Sequence, residues 1–468
     1  MRRLPLPTRP QDDAEATQRI PLQHSADSTV VIAHHRLRSW LAFARRHLPF
    51  ALILLLATYL ITINMTTPWQ SMHEDNGTLN ESIALNHLRY GLGVTKGQDL
   101  LDLEAKQSFG PQGVSEAQHF AYFFKGPVHP QVYGDHPPLL GLTIALSFVV
   151  FGFHFWAERL VPILYALAGM ILFYTLVRRY FDIGIARFAA FLYATYPMMA
   201  YFGRNVSHES PTLFWALVLL TGYFRWRERG ERRRWWAALM VVAVVAGGCY
   251  GWPLFYFSFL LFGIDWLAHR HADRKLALLT LLPAVIMFVL VIAQIDWALG
   301  GTLHSLIGMF LHRFGGGSAD ISGPLSAIGW FNQVTVWNAE GFGLWSQLAL
   351  PFVVFFLARR FEAERWSPRM ILVALLTAWG ISHVLIFRDG AYVHAYWQFY
   401  LLPFYALGPA WLCVTMARQH LHLPATRALA LSMAGGVAMC LGLASIIALY
   451  STGYHVTLPV TPLFDLWR

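Results

Sequence analysis

Residues 276–298 read LALLTLLPAVIMFVLVIAQIDWA, a run in which no charged residue appears before Asp296. A bilayer core about 30 Å thick is crossed by about 20 residues of α-helix, so a run of this length is typical of a membrane span. The sequence therefore predicts an all-α polytopic membrane protein with about 11 transmembrane helices, between roughly 10 and 13. The other apolar runs lie at residues 47–64, 157–177, 184–203, 209–224, 235–250, 252–268, 346–358, 370–387, 397–417 and 428–450.

The composition agrees with a protein embedded in lipid. Of the 468 residues, 56% are hydrophobic and 13% are charged, about half the charged share of an ordinary soluble domain. This balance excludes a soluble enzyme, a disordered scaffold and a nucleic-acid-binding protein. The three cysteines all lie inside apolar runs, where a thiol behaves as a small hydrophobic group, so they indicate neither a disulfide framework nor a metal cluster.

The net charge of +9 is interpreted through the placement of the basic residues along the chain. Cytoplasmic loops of membrane proteins are enriched in Lys and Arg, so this placement indicates which side of the membrane each loop occupies. One further apolar run, PPLLGLTIALSFVVFGF at 137–153, decides that orientation. If this run does not cross and the N-terminus is cytoplasmic, 26 of the 35 Lys and Arg residues fall on the inner side. We therefore expect it to lie in the outer interface.

On this topology the chain divides into three parts. Residues 1–46 form a basic cytoplasmic tail, expected to be disordered, and residues 47–450 form the transmembrane domain. Residues 451–468 form an outer C-terminal tail. Two long loops, 65–156 and 299–345, lie outside, and we expect the first to contain an interfacial helix over 79–92. Loops of this length are usually functional, so the site is predicted at the outer membrane surface.

Two carboxylates follow the first span within the segment His73-Glu-Asp-Asn-Gly77, termed here the acidic turn. Glu74 or Asp75 is suited to act as a general base at the membrane surface. The alternative is a solvated loop with a turn at Asn76-Gly77.

Two further outer segments carry ionisable residues. Tyr133 and His136 precede two prolines, which stiffen the chain before the 137–153 run. The short turn 202–212 brings together Arg204, His208 and Glu209, and ionisable groups at membrane depth are candidates for function. Each segment has a structural alternative, namely a helix-start turn in the first and helix capping in the second.

The last outer segment, residues 387–400 and termed here the late turn, contains Arg388, His394 and Tyr396. Its aromatic residues are typical of an interfacial belt, whereas the guanidinium of Arg388 suits a phosphate. No spacing of a tight zinc site is present. A weakly held divalent ion, Mg²⁺ or Mn²⁺, shared by Asp75, Glu209 and a substrate phosphate remains an alternative; no cofactor is otherwise indicated.

Four stretches together resemble one family of membrane enzymes. The acidic turn, the HPPL motif at 136–139, WAERLVPILYALAG at 156–169 with its RRYF end, and RNVSHESPTLF at 204–214 are similar to the GT-C fold glycosyltransferases. The branch they most resemble is the protein mannosyltransferase and aminoarabinose transferase-like group. The similarity is densest over 70–225 and weaker at HAYWQFYLLPFYAL (394–407).

The resemblance implies a sugar donor carried on a polyprenyl phosphate, an acceptor hydroxyl outside the membrane, and displacement with inversion at the anomeric carbon. The acceptor class, whether glycan, lipid or protein, stays open. The branch implies a bacterial inner membrane with the active site facing the periplasm.

The family's motifs imply roles for individual residues. Asp75 or Glu74 matches the acidic pair that supplies the catalytic base; relatives commonly read Asp-Glu where this chain reads Glu-Asp, and we favour Asp75. His136, assisted by Tyr133, matches the position facing the donor phosphate. The second acidic site is matched by Arg204, His208 and Glu209, and the turn that closes over the donor by Arg388, His394 and Tyr396.

Three other functions remain open: a flippase or transporter of lipid-linked sugars, a lipid-linked polysaccharide polymerase or ligase, and a catalytically silent subunit. Transporters commonly place polar groups at mid-span and show repeated halves. Here the polar candidates cluster in the predicted outer turns, which favours the transferase.

Overall fold

The computed structural model describes residues 47–69, 73–101, 113–125, 131–228, 230–301 and 327–419. The chain divides into two compact units, Met1–Pro49 and Phe50–Arg468. Apart from the start of the first helix, every element named below belongs to the second unit. The predictions for the two tails and for the apolar run 428–450 lie outside the described residues.

The described part of the chain is almost entirely helical, as the sequence predicts. Two 3₁₀ segments, Phe202–Arg204 and Ala395–Leu401, precede longer helices. The α-helices, in chain order, are α1 (His47–Thr62), α2 (Asp75–Thr95), α3 (Glu116–Lys125), α4 (Leu139–Phe151), α5 (Phe155–Tyr180), α6 (Ile183–Thr195), α7 (Pro197–Ala200), α8 (Glu209–Arg227), α9 (Arg233–Tyr250), α10 (Pro253–His269), α11 (Arg274–Leu299), α12 (Ala327–Phe342), α13 (Leu344–Glu364), α14 (Pro368–Ile386), α15 (Arg388–Val393) and α16 (Leu402–Gln419).

Four helical stretches within the described residues are long and apolar enough to cross a bilayer: Phe155–Tyr180, Arg274–Leu299, Pro368–Ile386 and Ala395–Gln419. A fifth results if the pair Ile328–Phe342 and Ser346–Glu364, bent by 97°, counts as one span. The chain is therefore a multi-pass membrane protein, and the number of eleven spans stays a prediction.

The helices begin and end where local chemistry requires. Asp182 accepts hydrogen bonds from the backbone N–H groups of Gly184 and Ile185 and so caps α6. The predicted run 184–203 is broken after Thr195, because the residue before Pro197 is held in an extended conformation. Helix α4 has 13 residues and spans about 20 Å at 1.5 Å per residue. That length is short of a bilayer core, so the interfacial position stays a reasonable prediction.

Helix α2 differs from the predicted interfacial helix over 79–92. It runs from Asp75 to Thr95, with a break at Gly91, where φ is 71°. Its middle is buried, because it packs against α4, and Gly141 of α4 leaves room for the side chains of Ile83 and Asp99.

A two-stranded antiparallel sheet pairs Leu100–Leu101 with Gln131–Val132. The all-α prediction did not include this element. The pairing delivers Tyr133 and His136 beside the start of α2. A small apolar core beneath these elements contains Trp69, Leu140 and Phe155, and a larger core lies among the long helices.

Candidate active site

A cavity of about 270 Å³ lies where four separated segments meet. These segments are the start of α2, the loop before α4, the start of α8 and the late turn. Seven of the ten side chains selected from the sequence line it, so the structure joins segments that are about 320 residues apart. The lining residues are Asp75, Asn76, Leu79, Asn80, Tyr133, Asp135, His136, Val206, Ser207, His208, Glu209, His394, Tyr396 and Trp397.

The two acids of the acidic turn occupy different environments. Glu74 is only 4% exposed, and its Oε1 lies 3.3 Å from Nη2 of Arg159 and 3.8 Å from Nη2 of Arg204. Glu74 does not line the cavity. The geometry therefore assigns Glu74 to an ion-pair cluster.

The two arginines of that cluster also hold the chain that leads into the acidic turn. Arg159 donates to the carbonyl oxygen of Met65 at 3.0 Å, and its guanidinium lies 4.0 Å from the ring centroid of Trp69. Arg204 donates to the carbonyl oxygen of Ile63. Arg204 was selected from the sequence as a substrate-facing residue, but the structure places it in this cluster, outside the cavity lining.

Asp75 is the first residue of α2 and lines the cavity. Burial raises the pKa of its carboxyl above the ordinary aspartate value, while the backbone N–H groups of Asp75 and Asn76 partly oppose this shift. Among the described residues no side chain donates a hydrogen bond to the Asp75 carboxylate. Of the two acids, Asp75 is the one placed to accept a proton from a bound molecule.

Two imidazole rings face each other on the opposite segments. The rings of His136 and His208 stack with centroids 4.1 Å apart and planes 22° apart. Nδ1 of His208 lies 2.6 Å from the carbonyl oxygen of Tyr250. Because a carbonyl oxygen can only accept, Nδ1 carries the proton, and Nε2 is the basic nitrogen of the neutral ring.

The loop that carries His136 is held from behind by Gln98, a fully buried residue that the sequence analysis did not select. Its Nε2 lies 2.9 Å from the carbonyl oxygen of Tyr133 and 3.3 Å from that of His136. The indole N–H of Trp252 donates to the carbonyl oxygen of Asp135 at 2.8 Å. These bonds fix a proline-flanked loop whose side chains face the cavity.

His73 joins the acidic turn to the late turn, a role that the sequence analysis also did not predict. Its Nε2 accepts a hydrogen bond from the backbone N–H of Ala395 at 3.4 Å, and its ring lies 5.1 Å from that of Tyr396. Burial lowers the pKa of His73 to about 4, so the ring is neutral at physiological pH. A neutral ring is what an acceptor at Nε2 requires.

A narrower apolar cavity adjoins the first and shares Asp135, His136, His208, Glu209 and Trp397 with it. Its remaining lining comprises Gly251, Trp252, Pro253, His383, Phe387 and Tyr400. A polar chamber thus continues into an aromatic one, which suits a ligand with one polar and one apolar part.

Arg388 is the third selected residue that the structure does not bring to the cavity. Its side chain is exposed, and its guanidinium lies 5.6 Å from the ring centroid of Trp330. The indole N–H of Trp330 donates to the backbone carbonyl of Arg388. Its predicted contact with a donor phosphate has no support in this geometry.

Buried acids near the site escaped sequence reasoning altogether. Glu81 accepts from the indole N–H of Trp69 at 2.9 Å and lies 3.0 Å from Nε2 of His119. Asp99 pairs with His87 at 3.1 Å. Burial raises the pKa values of both carboxyls. Neither acid lines the cavity.

A divalent ion at this site would need oxygen ligands from the cavity lining. Asp75 and Glu209 line the same cavity. The described residues contain no group of three or more His, Cys, Asp or Glu side chains that could hold a metal ion. The ion shared by Asp75, Glu209 and a substrate phosphate, which needs only two protein carboxylates, stays a prediction.

The fold and the site define a polytopic helical membrane protein in which acids and imidazoles converge on one cavity formed by interhelical turns. Its fold is the GT-C fold, as the sequence resemblance predicted. The crystal structure of ArnT from Cupriavidus metallidurans bound to undecaprenyl phosphate matches with a TM-score of 0.56 at 15% identity, over 88% of this chain and 72% of that chain.

Two further comparisons agree with this fold. The Archaeoglobus fulgidus oligosaccharyltransferase tethered to an acceptor peptide matches with a TM-score of 0.51 at 14% identity, over 88% of this chain and 56% of that one. The family model of dolichyl-phosphate-mannose-protein mannosyltransferases matches residues 135–297, about a third of the chain. No curated protein matches by sequence.

Proposed function

We propose that this protein is an integral-membrane glycosyltransferase that moves a sugar from a polyprenyl-phosphate donor to an acceptor hydroxyl. The observation that carries the proposal is the separation of the two acids. Glu74 is sequestered by arginines, whereas the Asp75 carboxylate faces the cavity. The GT-C fold and the undecaprenyl phosphate bound to ArnT support a donor of this chemical class.

Asp75 is the proposed general base. Its carboxylate removes the proton from the acceptor hydroxyl as the oxygen attacks the anomeric carbon of the donor sugar. The bond from that carbon to the phosphate oxygen breaks, the phosphate leaves with the electron pair, and the configuration inverts. A base within hydrogen-bond reach contributes about 10² to 10⁴ in rate.

The cavity residues supply the remaining parts of the proposed reaction. His136 donates a hydrogen bond to the leaving phosphate and Tyr133 assists it. His208 holds the His136 ring by stacking against it. The aromatic chamber takes the first units of the prenyl chain. His394 and Tyr396 in the late turn close the polar chamber from the other side.

The proposed location follows from the charge distribution in the sequence. The N-terminus is cytoplasmic and the cavity faces the outer side, which in a bacterial inner membrane is the periplasm. The acceptor is a glycan, a lipid or a protein on that side.

The test is transfer of radiolabelled sugar from defined polyprenyl-phosphate donors by the purified protein. We expect turnover in the native protein and a loss of about 10² to 10⁴ in Asp75→Asn with donor binding kept. Asp135→Asn is the matched control, because it removes another acid of the same cavity. An Asp75→Asn variant with full turnover would exclude the assigned base. Export of an intact lipid-linked sugar without transfer would indicate a flippase.

A further inference from the structure

One part of the cavity wall is formed by neutral polar side chains that have no part in the proposed proton transfer or phosphate contact. Asn76, Asn80 and Ser207 line the cavity of about 270 Å³ but not the narrower aromatic chamber. Asn76 is the second residue of α2, directly after the proposed base Asp75, and Ser207 lies in the segment before α8. The polar chamber therefore has a neutral hydrogen-bonding surface beside the base.

Asn80 holds the two sides of this surface together. It is 3% exposed, and its Nδ2 donates to the carbonyl oxygen of Asn76 at 2.8 Å and to that of Val206 at 2.9 Å. An amide nitrogen has two protons, so these bonds use both of them. The backbone of Ser207 is held as well, since its N–H donates to the carbonyl oxygen of Asn205 at 2.8 Å. The backbone of the surface is thus fixed on both sides.

The side chains on this fixed backbone lack partners. Within the described residues, neither Nδ2 of Asn76 nor Oγ of Ser207 has a hydrogen-bond partner, although both atoms are buried. Ser207 as a whole is 4% exposed. Buried polar atoms are nearly always paired, because an unpaired one has lost its bonds to water without replacement. Both side chains have staggered χ1 rotamers through which the polar group can turn towards a molecule in the cavity.

The chemistry of these groups favours sugar hydroxyls as their partners. An amide and a hydroxyl are uncharged, and each can donate and accept, as a sugar hydroxyl does. A phosphodiester suits them less, because it can only accept and would lie against the Asp75 carboxylate. In the proposed function the prenyl chain occupies the aromatic chamber and the phosphate lies at His136, which lines both chambers. The sugar attached to that phosphate then extends into the polar chamber.

We infer that Asn76 and Ser207 form the subsite that recognises the hydroxyl groups of the donor sugar, and that Asn80 is the positioning residue that sets their separation. This inference rests on the proposed function and deepens it, because it assigns the residues that select the sugar. Each hydrogen bond to a neutral hydroxyl should raise the affinity for the donor by about three- to tenfold.

The test measures binding to the full-length protein in nanodiscs, with no acceptor present, so that the result reports hydroxyls of the donor alone. The ligands are polyprenyl-phosphoryl-glucose, -galactose and -arabinose. Polyprenyl methyl phosphate is the reference, because it is also a phosphodiester but carries no sugar. We expect at least one glycolipid to bind about tenfold or more tightly than the reference. If none binds more tightly than the reference, the inference is overturned.

Variants assign this difference to the subsite. Asn76→Ala and Ser207→Ala should each weaken binding of the tightest glycolipid by about three- to tenfold and leave the methyl phosphate unaffected. Neither should lower the unfolding midpoint, because the atoms removed have no partner within the described residues. Asn80→Ala should also weaken the glycolipid selectively, which a general loss of stability does not do. Thr78→Val is the matched control, since its hydroxyl is buried and equally unpaired there but does not line the cavity.

Two results with the variants would overturn the inference. One is equal weakening of both ligands, which would show that these residues hold the phosphate or the fold. The other is unchanged glycolipid binding in both Asn76→Ala and Ser207→Ala. The comparison of the two ligands on the native protein keeps the test decisive if a variant fails to fold. Transfer is measured separately, so sugar-selective binding without transfer would overturn the proposed function and leave the sugar subsite standing.

Discussion

Replacing Glu74 by Gln should destabilise the fold, because its carboxylate pairs with two buried guanidinium groups. Arg159 is fully buried and Arg204 is 3% exposed, and the Glu74 carboxylate lies within 4 Å of both. Breaking a buried ion pair from one side costs about 3–5 kcal/mol, since the remaining charge is left without compensation. We expect Glu74→Gln to lose a free energy of unfolding of that size.

Asp75→Asn is the matched control, one residue further along. Its carboxylate faces the cavity and receives no side-chain hydrogen bond among the described residues, so its loss should change stability by less than about 1 kcal/mol. The assay is unfolding of the purified protein by increasing mole fractions of SDS in mixed micelles, followed by circular dichroism. Replacement of Glu74 should lower the free energy of unfolding, whereas replacement of Asp75 should lower turnover.

A double variant tests the cause. If Glu74 acts by compensating Arg159, then Glu74→Gln combined with Arg159→Met should be less destabilising than the sum of the two single changes. Additive losses would show that the two residues act independently. An equal midpoint for Glu74→Gln and the native protein would refute the ion-pair assignment altogether.

Three more predictions follow from single residues. Burial raises the pKa of Asp75, and a general base works only when it is deprotonated. On the acid side, kcat/KM should therefore fall with an apparent pKa above the ordinary aspartate value of about 3.9. The residual activity of Asp75→Asn should not show this fall. Burial lowers the pKa of His73 from 6.5 to about 4. The stabilisation from its neutral ring is therefore complete above pH 6.5 and is lost as the pH falls towards 4. Between pH 7 and pH 5 the native protein should lose about 2 kcal/mol more free energy of unfolding than His73→Gln in the same unfolding assay. A methyl group at Gly77 would collide with the buried Trp69 ring, so Gly77→Ala should cost about 1–3 kcal/mol, whereas Gly93→Ala, which meets nothing within 4 Å, should not lower the unfolding midpoint.

Much of the fold could be predicted because hydrophobicity acts locally along the chain. The run 276–298 became the helix Arg274–Leu299, and the run 370–387 became Pro368–Ile386. Observed helix ends differ from the predicted ones where a capping side chain or a proline ends the helix, as at Thr195. The sheet between 100–101 and 131–132 could not be predicted, since strands of two residues have no detectable periodicity.

The sequence predicted which turns lie on the same side of the membrane, and turns on one side can meet in one site. That principle brought Asp75, His136, His208 and His394 together correctly. The local sequence could not show which of Glu74 and Asp75 faces the cavity, because the answer depends on Arg159, 85 residues away. Arg388 looked suitable by residue type alone, but the exposed start of α15 keeps it outside.

The Glu74 cluster has a consequence for how this sequence can evolve. One carboxylate serves two arginines that belong to separate segments, at the start of α5 and before α8. A lineage that loses Glu74 first would leave two buried guanidinium groups without this carboxylate. A lineage that loses one arginine first would still have the other arginine paired with Glu74. Substitutions at 159 or 204 should therefore precede or accompany those at 74, and the three positions should vary together among orthologues as a linked set.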